Sequence, residues 1–473
     1  MAAASIVIAS NRGPIGFRRD AGGEVTAARG GGGLVSAMAG LTTDESTLWV
    51  CAALSDLDRE IAAAAPGRRL DLGGHPEGGA VAMLPIPADV LDGAYNSIAN
   101  TTLWFLHHHM AGDPHPYDEM WHRNWASYVA YNTAFADAII VAAADDARIL
   151  VQDYHLALLP AMLRTRRPDL RIAHFTHTPW AAPAVFTTLP LEVATDVLAG
   201  MLGADSLGFH TPRWAAEFVG CCVQLLGAET DDGGVWHGDR HTAVRVHPLG
   251  VDAAPLLARA AEADVTERRT ELAEAIGDCK IIARVDRTEP SKNIARGLEA
   301  FRDLLRRHPE HHGKVVHLAL AYPSRQDVPA YREYTELVAS LASDINDEFG
   351  RDAWTPVRLA VRDDYPRSLA TMQLADVLLI NPVRDGMNLV AKEAALLTDD
   401  AVLVLSTEAG AADELGPHSL LVDPFDITGT ADALHEALTM PAAERARRHV
   451  GLTRAATATP PQVWLRQQLD ALE

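Results

Sequence analysis

Two segments hold the residue types that a reaction at phosphate and sugar would need. The stretch from Asn381 to Glu393 follows the apolar run Asp376–Ile380 and opens a helical pattern with Met387, Val390, Ala391 and Ala394 on one side. Gly386 permits a tight turn, after which the N–H groups of Asn388 and Leu389 face an anion at the positive end of the helix. Asp385 stands before that turn, placed for sugar hydroxyls, and Glu393 lies two turns in, placed for a ribose. A plain helix cap by Asp385 is the other reading. The stretch from Arg284 to Lys292 follows the run 280–283 and puts two cations in one strand-to-helix loop. Fixed cations stabilise a departing diphosphate most as its charge grows, which is in the transition state. Two solvated surface cations are the alternative.

Weaker signals accompany these. Asp153 follows the run 148–152 and His177 follows the run 171–176, so a carboxylate and an imidazole emerge from strand ends, where they orient hydroxyls or cap turns. Arg29 is followed by four glycines, and Gly32 and Gly33 either let backbone approach a ligand or loosen a loop; the G-x-G-x-x-G spacing is missing. Other patterns argue against metal or nucleotide-loop chemistry. Asp56 and Asp58 have the D-x-D spacing of metal-dependent sugar transferases, but they fall in a charged turn expected to be exposed. His107, His108 and His109 are consecutive and cannot all point at one ion. Gly313-Lys314 precedes Val315, so there is no Walker-type loop. Cys51, Cys221, Cys222 and Cys279 form no C-x-x-C pair, which suits a reducing cytoplasm and buried thiols.

Positioning such residues takes strands that end in turns. Short apolar, β-branched runs recur at 5–10, 48–54, 81–86, 148–152, 171–176, 243–248, 280–285, 315–321, 376–380 and 401–405. Helical patterns lie between them, such as Trp125, Tyr128, Asn132, Phe135 and Ile139 at spacings of three and four. Strand alternating with helix predicts mainly parallel sheets covered on both faces, with ligands beyond the carboxyl ends of the strands. A chain of 473 residues exceeds one ordinary core. The fresh helical stretch after Pro248 predicts one domain over 1–250 and a second over 251–456, with a helix in 457–473 folding back on the first. The net charge of −22 repels nucleic acids and anionic membranes. No run of about 18 apolar residues proposes a membrane span, and Ser5–Ser10 reads as a first strand rather than a signal peptide.

In chain order, Ser10-Asn-Arg12, Gly31 to Leu34, Tyr95 with Trp104 nine residues on, Gln152 to His155, His177-Thr-Pro179, Arg284 to Lys292, Tyr322 to Arg325, and Asp385 to Glu393 resemble the trehalose-6-phosphate synthase family of retaining glycosyltransferases. The resemblance covers essentially the whole chain. It implies an α/β fold of the GT-B type, with two Rossmann-like domains and the reaction in an interdomain cleft. It also implies transfer of glucose from a nucleotide-diphosphate glucose to glucose-6-phosphate, by front-face displacement with retained configuration. By position, Arg12, Tyr95, Trp104 and Arg325 hold the acceptor phosphate, Asp153 meets acceptor hydroxyls, and Trp49 lines that pocket. Gly32 and Gly33 approach the donor, His177 touches its glucose, and Arg284 and Lys292 face its diphosphate. Asp385, Asn388, Leu389 and Glu393 take its sugar, phosphates and ribose. Asp153, His177, Arg284, Lys292 and Asp385 are the catalytic set. No cofactor and no metal are expected, because Arg284, Lys292 and the helix start supply the positive charge. The implied setting is cytoplasmic, without nucleic acid or membrane partners, and a homo-oligomer is open.

Two departures bear on the donor. The loop from Arg284 to Lys292 is longer than in some members, and Val361 to Pro366 carries Asp363 and Asp364 where others have an aromatic residue. A carboxylate accepts from guanine N1–H and its exocyclic amine, a pair that uracil lacks, so Asp363 leans the reading toward GDP-glucose over UDP-glucose; recognition by backbone alone is the alternative. Two further readings stand beside the synthase: a pseudo-glycosyltransferase coupling cyclitols, and a non-catalytic nucleotide-sugar sensor. The intact Asp153, His177 and Asp385 argue against the first, and the intact Arg12, Tyr95, Trp104 and Arg325 against the second.

Overall fold

The computed structural model describes the chain except for residues 1–2, 21, 30–37, 39–45, 66–69, 72–79, 111–116, 326–327 and 352–353. It divides into two compact units, residues 1–248 with 461–473, and residues 249–460.

In the first unit, β1 (Ala4–Ser10) leads to an antiparallel pair, β2 (Ile15–Arg19) and β3 (Val25–Arg29), then to β4 (Thr47–Ala52), β5 (Leu70–Asp71) and β6 (Ala80–Leu84). β7 (Ala143–Gln152), β8 (Arg171–Thr176), β9 (Ser206–Phe209), β10 (Glu229–Asp231), β11 (Gly234–His237) and β12 (Arg240–Val246) follow. Ten of these strands form one sheet in the order β10-β11-β12-β9-β8-β7-β1-β4-β6-β5. Its interior pairings are parallel and only the edge pairs β5·β6, β10·β11 and β11·β12 are antiparallel. Every residue of β4 is buried, because helices on both faces leave no polar side to alternate with. The chain winds outward from β1 in one direction through β4 and β6, and in the other through β7, β8 and β9. Neighbouring strands at that reversal cannot both be covered by connections at their carboxyl ends, so a crevice opens there. Ser10 and Gln152 end the two strands that flank it.

A 24-residue helix, α1 (Glu119–Ala142), packs Tyr128, Asn132, Phe135 and Ile139 inward, and Asp118 caps it by accepting from the Trp121 amide at 2.8 Å. Before it, Asp92–Leu103 adopts π-helical hydrogen bonding, a wider winding that is uncommon and concentrates near functional sites.

The second unit contains β13 (Lys280–Arg287), β14 (Val315–Tyr322), β15 (Val357–Ala360), β16 (Val377–Ile380), β17 (Val402–Ser406) and β18 (Leu420–Val422). They form one wholly parallel sheet in the order β15-β14-β13-β16-β17-β18. Two apolar clusters cover its faces, one around Leu318, Leu378 and Leu403, the other around Phe301, Leu379 and Leu434. Here the winding reverses between β13 and β16, so the loops after Arg287 and Ile380 flank the crevice. The helices that follow them are α2 (Ile294–Arg307) and α3 (Leu389–Leu397).

The final helix, α4 (Pro461–Asp470), belongs to the first unit. Its Trp464 is fully buried with its ring edge-on to Phe175 at 4.9 Å, and the Arg171 guanidinium donates to the Leu472 carbonyl at 3.2 Å. Among the described residues no helix is long and apolar enough to cross a membrane. Replacing Trp464 with Ala empties a large core volume, so the unfolding free energy of the first unit should fall by about 3–5 kcal/mol. Chemical denaturation followed by near-ultraviolet dichroism checks this, and a loss below about 1 kcal/mol would show that the helix is not anchored through this ring.

Candidate active site

At the crevice of the first unit, Ser10 fixes the turn that follows β1. Its hydroxyl donates to the Arg12 carbonyl at 2.6 Å and accepts from the Trp49 indole at 2.7 Å. Asn11 is held by the Tyr131 hydroxyl at 2.6 Å. Between these anchors Arg12 projects outward, exposed, with its guanidinium 3.4 Å from the Tyr95 hydroxyl. Tyr95 sits on the π-helical stretch and stacks on His155, the ring centroids 5.7 Å apart. Across the crevice Asp153 follows β7 with φ of 73°, a left-handed conformation that costs a side-chain-bearing residue on the order of 1–3 kcal/mol. Its amide donates to the Phe175 carbonyl at 2.7 Å and its carboxylate accepts from the His177 amide at 3.1 Å. These two bonds hold the strained turn and tie Asp153 to the loop bearing His177. Burial, reinforced by His174, lowers the His177 imidazole to about 3, so it is neutral at physiological pH.

Two residues expected at the acceptor are buried. Trp49 is 1% exposed and donates its N–H to Ser10, so it braces the strand ends. Trp104 is also inside, 3% exposed and stacked on His108 at 4.1 Å, one residue beyond the π-helical stretch. Gly32 and Gly33 lie outside the described residues. Asp58, expected in an exposed turn, is buried at the start of the helix Asp56–Ala64, where it completes a capping box with Ser55 and accepts from the Phe17 amide. His107 accepts from the Ala181 amide at 3.2 Å and is structural.

In the second unit the crevice is spanned by an ion pair. The Lys292 ammonium lies 2.5 Å from the Asp385 carboxylate, which also accepts from the Asn388 side-chain amide at 3.1 Å. Burial works against the charge on Lys292, but Asp385 and Asp286 outweigh it and hold the ammonium's pKa above its usual value. Asn388, with φ of 78°, caps α3 by accepting from the Ala391 amide at 3.0 Å. The cap is therefore Asn388, and Asp385 is left to Lys292 and the crevice. The first-turn amides of α3 have no carbonyl partner within the helix and carry its positive end. Backbone packing fixes this turn tightly: a Cβ on Gly410 would stand 2.0 Å from the Gly386 carbonyl oxygen. Glu393, half-buried one turn further in, is pushed up to about 7 by burial.

Arg284, expected at the diphosphate, is 1% exposed and committed to the protein. It pairs with Asp286 at 3.0 Å, donates to the Lys292 carbonyl at 3.0 Å and the Asn293 carbonyl at 3.4 Å, and bonds the Asn381 side chain. It underpins both loops of the crevice without reaching into it. The exposed cation is Arg287, the last residue of β13, which sequence reasoning missed. Its guanidinium pairs with Glu289 at 2.8 Å, and Glu289 in turn accepts from the Ser324 hydroxyl at 2.7 Å. Burial alone would raise Glu289, but Arg287, Arg325 and Lys292 bring it down to about 2. Position along β13 distinguishes the two arginines, since Arg284 lies mid-strand and Arg287 at the carboxyl end. Counting from Arg287 also shortens the loop to Lys292 by three residues. Arg325, with φ of 44°, has its guanidinium 2.5 Å from the Tyr331 hydroxyl. After β15, Asp364 caps the helix Tyr365–Gln373, accepting from the Arg367 amide at 3.1 Å, whereas Asp363 is exposed.

One grouping among the described residues, His308, Glu310 and His435, brings metal-type donor atoms within 4.8 Å of each other. The His308 and His435 rings stack at 3.7 Å with 14° between their planes. Their lone pairs thus lie in nearly parallel planes and do not meet at one ion.

Two doubly wound, mainly parallel sheets, each with charged residues at its reversal point, make up the class of architecture in which ligands sit beyond the carboxyl ends of the strands. The model of glycosyltransferase family 20 matches residues 4–473, and the chain belongs to that family. It is 35% identical over 482 residues to a trehalose-6-phosphate synthase of Mycobacterium sp. (strain JLS), covering 98% of this chain and 95% of that one. It is 31% identical over 465 residues to UDP-forming alpha,alpha-trehalose-phosphate synthase A of Dictyostelium discoideum, covering 97% of this chain. It spans 61% of that relative's length, and 54% and 50% of two others. A solved E. coli structure bound with UDP-2-fluoro glucose matches with a TM-score of 0.86 and 28% identity, over 99% of this chain and 98% of that chain. A UDP-forming synthase from Burkholderia xenovorans in complex with glucose-6-phosphate matches with a TM-score of 0.86 and 27% identity, over 99% of both chains. The fold is thus GT-B, with two Rossmann-like units.

The two arginines are separated by substitution. Arg284→Met leaves Asp286 buried and unpaired, so stability should fall by about 3–5 kcal/mol, while Arg287→Met should cost less, because its buried partner Glu289 keeps the Ser324 hydroxyl and the charges of Arg325 and Lys292. Thermal unfolding of both variants checks this, and equal losses would contradict the assignment. Glu393 titrates with the opposite sign to a salt-bridged carboxylate. Its folded pKa is raised from 4.5 to about 7, so its favourable contribution is complete below pH 4.5 and is lost as pH rises through about 7. Glu393→Gln should therefore flatten the stability–pH curve over that window, and an unchanged curve would mean that the carboxylate is hydrated.

Proposed function

We propose that this chain is an alpha,alpha-trehalose-6-phosphate synthase, moving glucose from a nucleotide-diphosphate glucose to glucose-6-phosphate with retention of configuration. The observation that carries the reading is the grouping at the β13/β16 reversal: Lys292 paired with Asp385, Arg287 exposed beside them, and the start of α3 capped by Asn388. These groups suit a leaving diphosphate and its sugar. In the first unit, Arg12 beside Tyr95 suits the acceptor phosphate, and Asp153 suits acceptor hydroxyls. The relatives' names support the same donor and acceptor classes.

In the proposed reaction the bond between the anomeric carbon and the donor phosphate oxygen breaks as the acceptor hydroxyl bonds to the same face of that carbon. The hydroxyl proton passes to the departing phosphate oxygen. Lys292, Arg287 and the α3 amides stabilise the charge that grows there, which lowers the barrier because they act most strongly on the transition state. Asp385 then exchanges part of its hold on Lys292 for donor hydroxyls, and Glu393 accepts from the ribose. Protein cations fill the role a metal plays elsewhere, so the reaction should proceed in EDTA.

The donor base rests on two opposed supports. Relatives named UDP-forming favour UDP-glucose, whereas the exposed Asp363 offers an acceptor matched to guanine. We take Asp363 as deciding. With glucose-6-phosphate and UDP-, GDP- or ADP-glucose, the purified protein should release nucleotide and form disaccharide phosphate, at least about tenfold faster per donor concentration with GDP-glucose. Asp363→Asn should narrow that preference. A preference for UDP-glucose would place base recognition on the backbone, and no product from any donor would remove the synthase reading and revive the sensor.

A further inference from the structure

The C-terminal helix reaches the candidate site through a chain of two side-chain amides. Gln152, the last residue of β7, is fully buried, and Gln468 on α4 is 2% exposed. The Gln152 Nε2 donates to Gln468 Oε1 at 3.2 Å, and Gln152 Oε1 lies 3.0 Å from His177 Nε2. An amide carries its donor and its acceptor on opposite faces. Once Gln468 Oε1 takes the donor face, the face turned to His177 can only accept. With the two amides in this orientation, His177 Nε2 carries the hydrogen. In a neutral imidazole the other nitrogen is consequently a bare acceptor, and His177 Nδ1 has no hydrogen-bond partner among the described residues.

We infer that Gln468 is a positioning residue of the site: acting through Gln152, it locks His177 in the Nε2–H tautomer, so that Nδ1 receives a hydrogen bond from a ligand hydroxyl and turns away phosphate oxygens. This rests on the sugar-transfer reading and adds to it the group that sets the tautomer. Two other features favour the lock. Burial holds His177 neutral, so protonation does not blur the choice, and the Trp464 ring of the same helix stands 5.6 Å from the imidazole, limiting its rotation. Asp153 adds a third hold, on the His177 backbone amide.

Nitrogen-15 spectra of histidine-labelled protein report the tautomer directly, with His177 assigned by comparison with His177→Asn. In the wild type, Nε2 should be protonated and Nδ1 bare across neutral pH. Gln468→Met, close in volume but without an acceptor, frees Gln152 to turn over, and the His177 signals should move toward a mixture of the two tautomers. In the same variant, kcat/KM for sugar transfer should fall about tenfold, the loss of one buried hydrogen bond. A bare Nε2 in the wild type overturns the inference at once, even if Gln468→Met does not fold. So do His177 signals unchanged in a folded Gln468→Met protein. Because the spectra need no turnover, a protein that shows the expected tautomer but makes no disaccharide phosphate would fail the synthase reading alone.

Discussion

An ammonium and a carboxylate 2.5 Å apart, Lys292 and Asp385, are the interaction around which the second unit is arranged. Neither charge could stay half-buried alone, since removing an ion from water costs several kcal/mol unless a partner compensates. Together they persist at the one place where a parallel sheet cannot cover itself, between the outward-winding strands β13 and β16. On the proposed function, a diphosphate arriving there would offer Lys292 a second anion and leave Asp385 to accept from sugar hydroxyls. On that reading the pair keeps the unliganded crevice stable until a donor replaces part of it.

The surroundings make sense as supports of that pair. Arg284 is buried beneath it and clamps the two loops by their carbonyls and by Asn381, so its charge serves geometry. Gly297 gives it room, since a Cβ there would stand 2.5 Å from the guanidinium. Glu289 gathers Arg287 and Ser324 on one oxygen, which links the exposed cation to the segment that ends in Arg325. In the first unit strain takes the place of an ion pair: Asp153 is held at φ of 73° by bonds to the neighbouring strand end. Both devices fix a carboxylate at a reversal point.

Much of this was legible in the residues. The predicted runs at 171–176, 280–285 and 315–321 correspond to β8, β13 and β14, and the three-and-four spacing of Tyr128, Asn132, Phe135 and Ile139 marks the buried face of α1. Continuous apolar runs betray strands with two covered faces, so the parallel class was readable. Shorter strands escaped, among them β9, β15 and β18, because three or four residues between helices carry too little pattern. The antiparallel edge, β10 and β11, escaped because its Gly and Asp residues look like a turn. At the candidate site, the order of Lys292, Asp385, Asn388 and Glu393 after strands is readable, and the structure brings Lys292, Asp385 and Asn388 into contact. Arg287 does not stand out from the sequence, because residue type says nothing about depth along a strand. The spacing of Trp49 could not reveal that its N–H is spent on Ser10. Asp385 against Asn388 as the helix cap was likewise a matter of one turn's dihedral angles, which composition does not specify.

The most direct measurement of the central claim is calorimetric titration of GDP and UDP into the wild type and into Lys292→Met. If this ammonium meets the diphosphate, the better-bound nucleotide should lose affinity by at least about thirtyfold in the variant, the weight of a charge-assisted hydrogen bond. Equal affinities in two folded proteins would show that the pyrophosphate binds elsewhere.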